Sequence, residues 1–445
     1  VNLERPEVKN LIEQRDWQGL RAVVSQWEVP DIADLIVEFE KADRVILFRS
    51  IPRHLAADVF SELDSRDRDE LLRDLTDEET RALMANLRPD DRTALLEELP
   101  GQVTQRLLNL LSPEDLKEAR SLLGYPEESV GRVMTPDYVA IRPDWTVATT
   151  IEHIRKMGRD SETINTIYVT DKSWVLMGSI PLKQIILSNP DDKISDMMSA
   201  PAVSLSAFAD REEATKTMEK YGLFVLPVVD SDGVMVGIVT WDDVVDIAQE
   251  EATEDFHKGA AIAPLRESFR DAGIGVLYRN RITWLMTLIL VDLVAAFVMA
   301  KFEHTISQVV SLVFFLPLLI GCGGNAGSQS STLIVRSLAV GEVEVRDWAK
   351  VVFRELGIAA ALGATISLAV WGPGVLKGGS AVGLVVAMSA VAIVTISSLI
   401  GICTPFLMVK LKIDPAASSS PLITSIADIL GVLIYFTLAS WYLKL

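Results

Sequence analysis

Pro421-Leu422-Ile423-Thr424-Ser425-Ile426-Ala427-Asp428-Ile429-Leu430-Gly431-Val432-Leu433-Ile434-Tyr435-Phe436 opens a run that stays apolar to Leu443, with one carboxylate in it. A helix needs about 20 residues to cross the hydrocarbon core of a bilayer, and this run is long enough. An ionised acid at that depth costs several kcal/mol unless water, a partner or a cation meets it. Asp428 therefore points to cation traffic. Thr424 sits one helical turn before it on the same face. Ser420 is placed to cap the helix, with Pro421 in its first turn.

Working outward, four further stretches qualify as spans, 282–301, 308–335, 351–373 and 381–409, making five with 421–443. Arg279, Arg281, Arg336, Arg346, Lys350, Arg354, Lys410 and Lys412 flank them on one side, and the other side carries little beyond Lys301, Lys377 and Lys444. The positive-inside bias then places the N-terminus in the cytoplasm and the C-terminus outside a cell (inner) membrane. No apolar stretch precedes residue 282 to read as a signal segment.

Charge divides the chain at the same place. Residues after 278 hold 8 acids and 11 bases, leaving 53 acids and 31 bases before them, so the first part carries about −22 and the second about +3. So acidic a front half argues against nucleic acid and anionic surfaces and for metal cations or basic partners. Simple solubility is the bland alternative. Cys322 and Cys403 both lie in apolar sequence, and the four histidines have no zinc-like spacing.

The second span contains Gly321-Cys322-Gly323-Gly324-Asn325-Ala326-Gly327-Ser328-Gln329-Ser330-Ser331-Thr332. Glycines let helices approach closely, and Asn325, Ser328, Gln329 and Thr332 recur at helical spacing as a stripe of oxygens. Such oxygens suit the water shell of a hard cation; helix packing with polar contacts is the competing explanation. Asp292, in the first span, is expected to be a second buried acid and is not assigned to the pathway.

In the front half, Trp27, Phe39, Ile51, Leu63, Leu75, Leu87, Leu99, Leu111 and Leu123 recur every 12 residues. Pro52, Asp64, Thr76, Pro100 and Ser112 open successive units with helix-starting chemistry. Prolines exclude one long helix, and the repeat reads as a solenoid of short helices. Between about 137 and 250 two related units follow, each a helix, strand, turn, strand and helix. They resemble a tandem pair of CBS domains, a module that often binds adenosine nucleotides. Thr240 and Asp243 in the second unit fit a ribose-holding pattern; the counterpart Gly178-Ser179-Ile180-Pro181-Leu182-Lys183-Gln184 lacks both groups, which makes ATP a doubtful ligand.

Asp243, Asp246, Glu250 and Glu254 line one face of the helix that follows. Carboxylates about 6 Å apart repel by roughly 3 kcal/mol at an effective dielectric of 20, which divalent cations would relieve; an ordinary solvated acidic face is the alternative.

Taken together, Gly323-Gly324-Asn325 with Gly327 and Gln329, Glu251-Ala252-Thr253-Glu254-Asp255, and Pro421-Leu422 followed by Asp428 resemble the MgtE family of bacterial magnesium channels over nearly the whole chain. The resemblance implies a homodimer in the lipid bilayer with its pore on the two-fold axis. There Asp428 and the carbonyl near Thr424 would hold hydrated Mg²⁺, and cytoplasmic Mg²⁺ would close the pore. Carried over, the regulatory sites involve Asp58, Asp91, Asp210, Glu212, Asp243, Asp246, Glu251, Glu254 and Asp255, to which the acidic stripe adds Glu250 as a candidate metal ligand. Gly222 stands where the family pattern has an acid, and Ala94 falls near the place of another. Ser328 and Ser420 replace expected Asn.

The expected architecture is thus multidomain: an all-α superhelical solenoid N domain (1–130), an α/β tandem CBS pair (131–252), a connecting helix (253–278) and an all-α five-helix transmembrane domain (279–445). The expected function is a Mg²⁺-selective uptake channel gated by Mg²⁺. A Na⁺- or H⁺-coupled divalent carrier and a membrane-anchored metal or nucleotide sensor are the alternatives. No His-Glu hydrolase spacing, nucleophile elbow or phosphate loop favours an enzyme.

Overall fold

In the computed structural model of the chain the described residues are 5–99, 101–265, 269 and 272–444. They divide into two compact units, Val1–Gln249 and Glu250–Leu445.

The 12-residue period is one ten-residue helix plus a two-residue joint. Val29–Glu38, Lys41–Ser50, Ser65–Asp74, Asp77–Asn86, Pro89–Glu98 and Pro113–Leu122 are each ten residues long. Phe39, Ile51, Leu75, Leu87 and Leu99 lie just past helix ends in extended backbone, and all five are buried. Each thus stops a helix and anchors the joint in the core. Thr76 forms a capping box with Glu79 and Ser112 caps through the Asp115 amide, as their chemistry favours. Pro100, expected to open a unit, lies outside the described residues. Alternate helices stack, Val29–Glu38 on Arg53–Ser61 and Arg53–Ser61 on Asp77–Asn86. Ion pairs between alternate helices support that stacking, Arg44–Asp67 at 2.9 Å and Arg68–Glu98 at 2.9 Å, and Arg49–Glu79 at 2.8 Å reaches one helix further.

Two three-stranded sheets of identical topology follow. In the first, Ala140–Ile141 runs parallel to Thr166–Thr170, which pairs antiparallel with Leu176–Pro181. In the second, Leu205–Ser206, Val225–Val229 and Met235–Thr240 repeat the pattern. The turns repeat too. Asp171 Oδ1 accepts the Ser173 and Val175 amides, and Asp230 Oδ1 accepts those of Asp232 and Val234. The sequence shows both antiparallel hairpins but not the two-residue edge strands, which are too short to carry a period.

The helix after the last strand, Trp241–Gly259, runs unbroken across the expected boundary at 252. A connecting helix over 253–278 is not what forms. The helix stops at Gly259, Ala261 takes a left-handed φ of +57°, and Pro264 follows, which cannot donate to a helix. Residues 266–268, 270 and 271 of that stretch lie outside the described set.

The second unit holds the apolar helices. The first span is Ile274–Ala300, starting earlier than expected, and it buries none of its own residues within the chain. The second is preceded by a short helix, Glu303–Gln308, and a 3-10 turn, Val310–Phe315. Its helix runs Leu316–Ala339, because Pro317 fits only a first turn. The third and fourth spans form one 63-residue stretch, Trp348–Lys410, reversed at Gly379 (φ 80°, ψ 176°). At about 1.5 Å per residue an unbroken helix of that length would be three bilayers long. The two arms instead fold back on each other: a Cβ on Gly374 would lie 2.7 Å from the Gly383 Cα, and one on Gly363 3.0 Å from the Val391 Cα. The reversal replaces the longer loop expected there, since glycine adopts a conformation other residues avoid. The last span is Ser420–Leu443. Val385, Val386, Ile393, Leu319, Val432, Tyr435 and Phe436 form the core of the bundle.

Candidate functional site

The second span divides cleanly by face. Gly323, Gly324, Ala326, Gly327, Ser330 and Ser331 are buried against the other helices, whereas Asn325, Gln329 and Thr332 are exposed and Ser328 is partly so. The buried face is small because backbones press close. A Cβ on Gly324 would lie 2.9 Å from Thr424 Cγ2, and one on Gly327 2.9 Å from both Ile423 Cγ2 and the Ser397 carbonyl. Those contacts set the second span against the last. Ser328 Oγ donates to the Ser420 carbonyl at 3.2 Å and lies 3.2 Å from Thr424 Oγ1. Thr424 in turn donates to the Ser420 carbonyl at 3.0 Å. Ser419, not Ser420, caps the last span, accepting the Leu422 amide at 3.4 Å.

Asp428 stands one turn beyond Thr424 and is partly exposed. Its Oδ1 is buried with no hydrogen-bond partner among the described residues. Within the single chain Asp292 is exposed, not buried as expected, because the first span covers no face completely. Amide and carboxylate groups facing hydrocarbon are costly. The stripe Asn325, Ser328, Gln329 and Thr332, continued by Thr424 and Asp428, therefore calls for water, a cation or a second protein surface.

A second concentration of charge lies in the first unit, around helix Pro89–Glu98. Asp90 is buried, and its Oδ1 finds no hydrogen-bond partner among the described residues. Burial first, and then the facing charge of Asp243, push its carboxyl well above the ordinary range. Asp243 is pushed up to about 7 by burial, with Asp242 and Asp91 adding to the effect against hydrogen bonds from Thr240. Thr240 Oγ1 donates to Asp243 Oδ2 at 2.6 Å, so the pair expected to hold a ribose hold each other. Asp91 accepts from Ser61 Oγ at 2.9 Å, and its carboxyl is raised by burial, with Asp58 among the charges around it. Arg88 partly balances the group, bonding Glu162 at 2.6 Å and lying 4.0 Å from Asp242.

Of the expected regulatory acids, Asp58, Asp91 and Asp243 are thus brought together. Asp246 follows one turn on, its carboxyl raised by burial and by Asp242. Asp210 and Glu212 stand elsewhere, at the start of helix Glu212–Tyr221, where Asp210 accepts the Glu212 amide at 2.9 Å and Glu212 pairs with Lys216 at 2.9 Å. Glu250, Glu251, Glu254 and Asp255 continue along helix Trp241–Gly259, and Glu254 pairs with Lys258 at 2.5 Å. Among the described residues no three His, Cys, Asp or Glu side chains are close enough to hold one metal ion. Asp90 and Glu162 were not singled out from the sequence. The available signal was that helix Pro89–Glu98 places Asp90, Arg92 and Thr93 on its buried side along with Leu95 and Leu96, but nothing in a 12-residue repeat says which unit is covered on a second face.

Three family models match the chain. One, described as a divalent cation transporter, MgtE, covers residues 316–438. The MgtE intracellular N domain covers 27–128, and the CBS domain covers 130–188 and 194–250. A magnesium transporter MgtE of Thermus thermophilus is 38% identical over 327 residues, 74% of this chain and 73% of that protein. One from Bacillus subtilis is 34% identical over 328 residues, 74% and 72% respectively. Among solved structures, the cytosolic domain of the Mg²⁺ channel MgtE in complex with ATP is similar at a TM-score of 0.53 and 32% identity, covering 55% of this chain and all of that one. Solenoid, CBS pair and apolar helical bundle together define a membrane protein of the divalent cation transporter class. The chain belongs to the MgtE family.

Proposed function

We propose that this protein is a passive, Mg²⁺-selective uptake channel closed by cytoplasmic Mg²⁺. The observation that carries the reading is the oxygen stripe of Asn325, Ser328, Gln329, Thr332 and Thr424 leading to Asp428, whose Oδ1 has no hydrogen-bond partner among the described residues. Two copies facing each other would enclose that stripe and give Asp428 a symmetry mate, so that a hydrated divalent cation meets two carboxylates. Mg²⁺ dehydrates reluctantly, and hydroxyl and amide oxygens suit its water shell. The N-terminal half is cytoplasmic and the C-terminus outside in this reading, following the basic flanks. The gate consists of the acids around Asp90 and Asp243, with Asp58, Asp91, Asp210, Glu212, Asp246, Glu250, Glu251, Glu254 and Asp255 as further cation ligands. Divalent cations binding there hold otherwise repelling surfaces together. ATP at the CBS pair remains a second ligand to test, supported by the ATP complex of the similar cytosolic domain.

The test is ion flux in proteoliposomes with cytoplasmic-side Mg²⁺ stepped from near zero to about 10 mM, the range of weak oxygen sites. Flux that falls as Mg²⁺ rises and needs no Na⁺ or H⁺ gradient is the expected result. Flux that tracks such a gradient would instead make this a coupled carrier working through Asp292 and Asp428, the two acids of the first and last spans.

A further inference from the structure

Lys258 lies in the last turn of helix Trp241–Gly259, and its Nζ is 2.5 Å from Glu254 Oε1 and 2.5 Å from Asp414 Oδ2. The first contact is within the helix; the second spans 156 residues to the loop before the last span. Asp414 is built into that loop. Its Oδ1 accepts the Ala416 amide at 2.8 Å, capping the 3-10 turn Pro415–Ala417. Ser418, the next residue, receives Ser331 of the second span on its carbonyl at 3.2 Å. Ser419 then caps the helix that bears Thr424 and Asp428. One ammonium thus connects the end of a helix bearing the acidic stripe to the turn before the helix bearing Thr424 and Asp428.

We propose that Lys258 is a positioning residue of the gate: a built-in cation that holds Glu254 and Asp414 together and so ties helix Trp241–Gly259 to the turn that starts the last span. The assignment rests on the gated-channel reading above. Glu254 and Asp414 both face this one ammonium. Without it two carboxylates face each other and separate until a divalent cation takes its place. Lys258 accordingly sets how closed the pore is when Mg²⁺ is scarce, while Mg²⁺ decides closure when it is plentiful.

The test uses the full-length protein in proteoliposomes, with Mg²⁺ as the only added divalent ion. Lys258→Met raises flux at near-zero cytoplasmic Mg²⁺ about fivefold, the size of a partly screened ion-pair network, and retains closure at about 10 mM. Lys258→Arg keeps the parent behaviour. Amide exchange at Ala416 and Ala417 gives a second readout. It quickens about fivefold in Lys258→Met and not in Lys258→Arg. Parent-like flux in Lys258→Met overturns the role in gating. Unchanged amide exchange overturns the tether itself, whether or not flux responds to Mg²⁺. A parent channel whose flux ignores cytoplasmic Mg²⁺ while amide exchange behaves as expected refutes the gated reading and with it the gating role, leaving only a structural tie.

Discussion

Replacing Asp90 with Asn removes one of two carboxylates that the fold forces to share a poorly solvated place. The carboxyl of Asp243 moves from an ordinary 3.8 to about 7, which corresponds to about 4 kcal/mol of ionisation penalty at neutral pH. Burial supplies the larger part; the charge of Asp243 is in turn felt at Asp90, and a repulsion of that kind is worth about 1–2 kcal/mol at an effective dielectric of 20. Because the folded state holds the proton more tightly than the unfolded one, the penalty is absent below the ordinary carboxyl range. It grows as pH rises and is complete near pH 7. Local stability of helices Pro89–Glu98 and Trp241–Gly259 in chelator should therefore fall between about pH 4 and 7, and less so in Asp90→Asn. The assay is amide exchange of the full-length protein in detergent, corrected for intrinsic rates. At pH 7 without divalent ions, Asp90→Asn should slow exchange in these helices about 5- to 30-fold. Mg²⁺ at ten times its dissociation constant should add about 1.4 kcal/mol of protection to the parent and much less to the variant. An identical pH profile in the two proteins, or equal protection by Mg²⁺, would refute the shared-carboxylate reasoning.

Asp428→Ala should abolish selective Mg²⁺ flux with little change in expression or detergent melting temperature; normal uptake would remove Asp428 from the pathway. Replacing Asp243, Asp246, Glu250 and Glu254 with their amides should raise the Mg²⁺ needed for half-closure by about tenfold or more, corresponding to at least 1.4 kcal/mol of lost cation binding. An unchanged dose response in flux would place the gate elsewhere. Gly401→Ala puts a Cβ into the Gly327 carbonyl and should destabilise the bundle by about 1–3 kcal/mol, read as a lower melting temperature in detergent. A melting temperature equal to the parent's would show that the two helices are not so closely packed.

Much of this architecture is legible in the residues because it rests on local periodicity. The 12-residue spacing of Phe39, Ile51, Leu75 and Leu87 marks helix ends directly, since each stops a helix and fills the core at once. Both CBS hairpins are bounded by Asp turns whose side chains enforce the reversal. What failed is tertiary. Nothing in the stretch after Glu254 distinguishes a continuing helix from one that ends at Gly259, and the sharp reversal at Gly379 depends on packing of Gly374 on Gly383. In the candidate sites, the stripe from Asn325 to Thr332 follows from helical spacing alone. The importance of Asp90 over its neighbour Asp91 requires knowing that Asp243 faces it, and the bond from Lys258 to Asp414 joins positions too distant in sequence for any pattern to link.

The far end of the last span is fastened to the segment between the first and second spans. Phe302 stacks on Phe436 with ring centroids 5.6 Å apart, Thr305 Oγ1 meets Ser440 Oγ at 2.8 Å, and Tyr435 bonds the Leu312 carbonyl at 2.9 Å. A rod clamped at one end turns about the clamp. From Ser440 back to Ser420 is about 30 Å of helix, so a tilt of about 5° swings the Ser420 end by about 3 Å. Asp428, about 18 Å from the pivot, travels a little over half as far. The last span is in this sense a lever, in which the capped end bearing Ser419 sweeps the widest arc and the carboxylate makes a smaller, proportionate excursion.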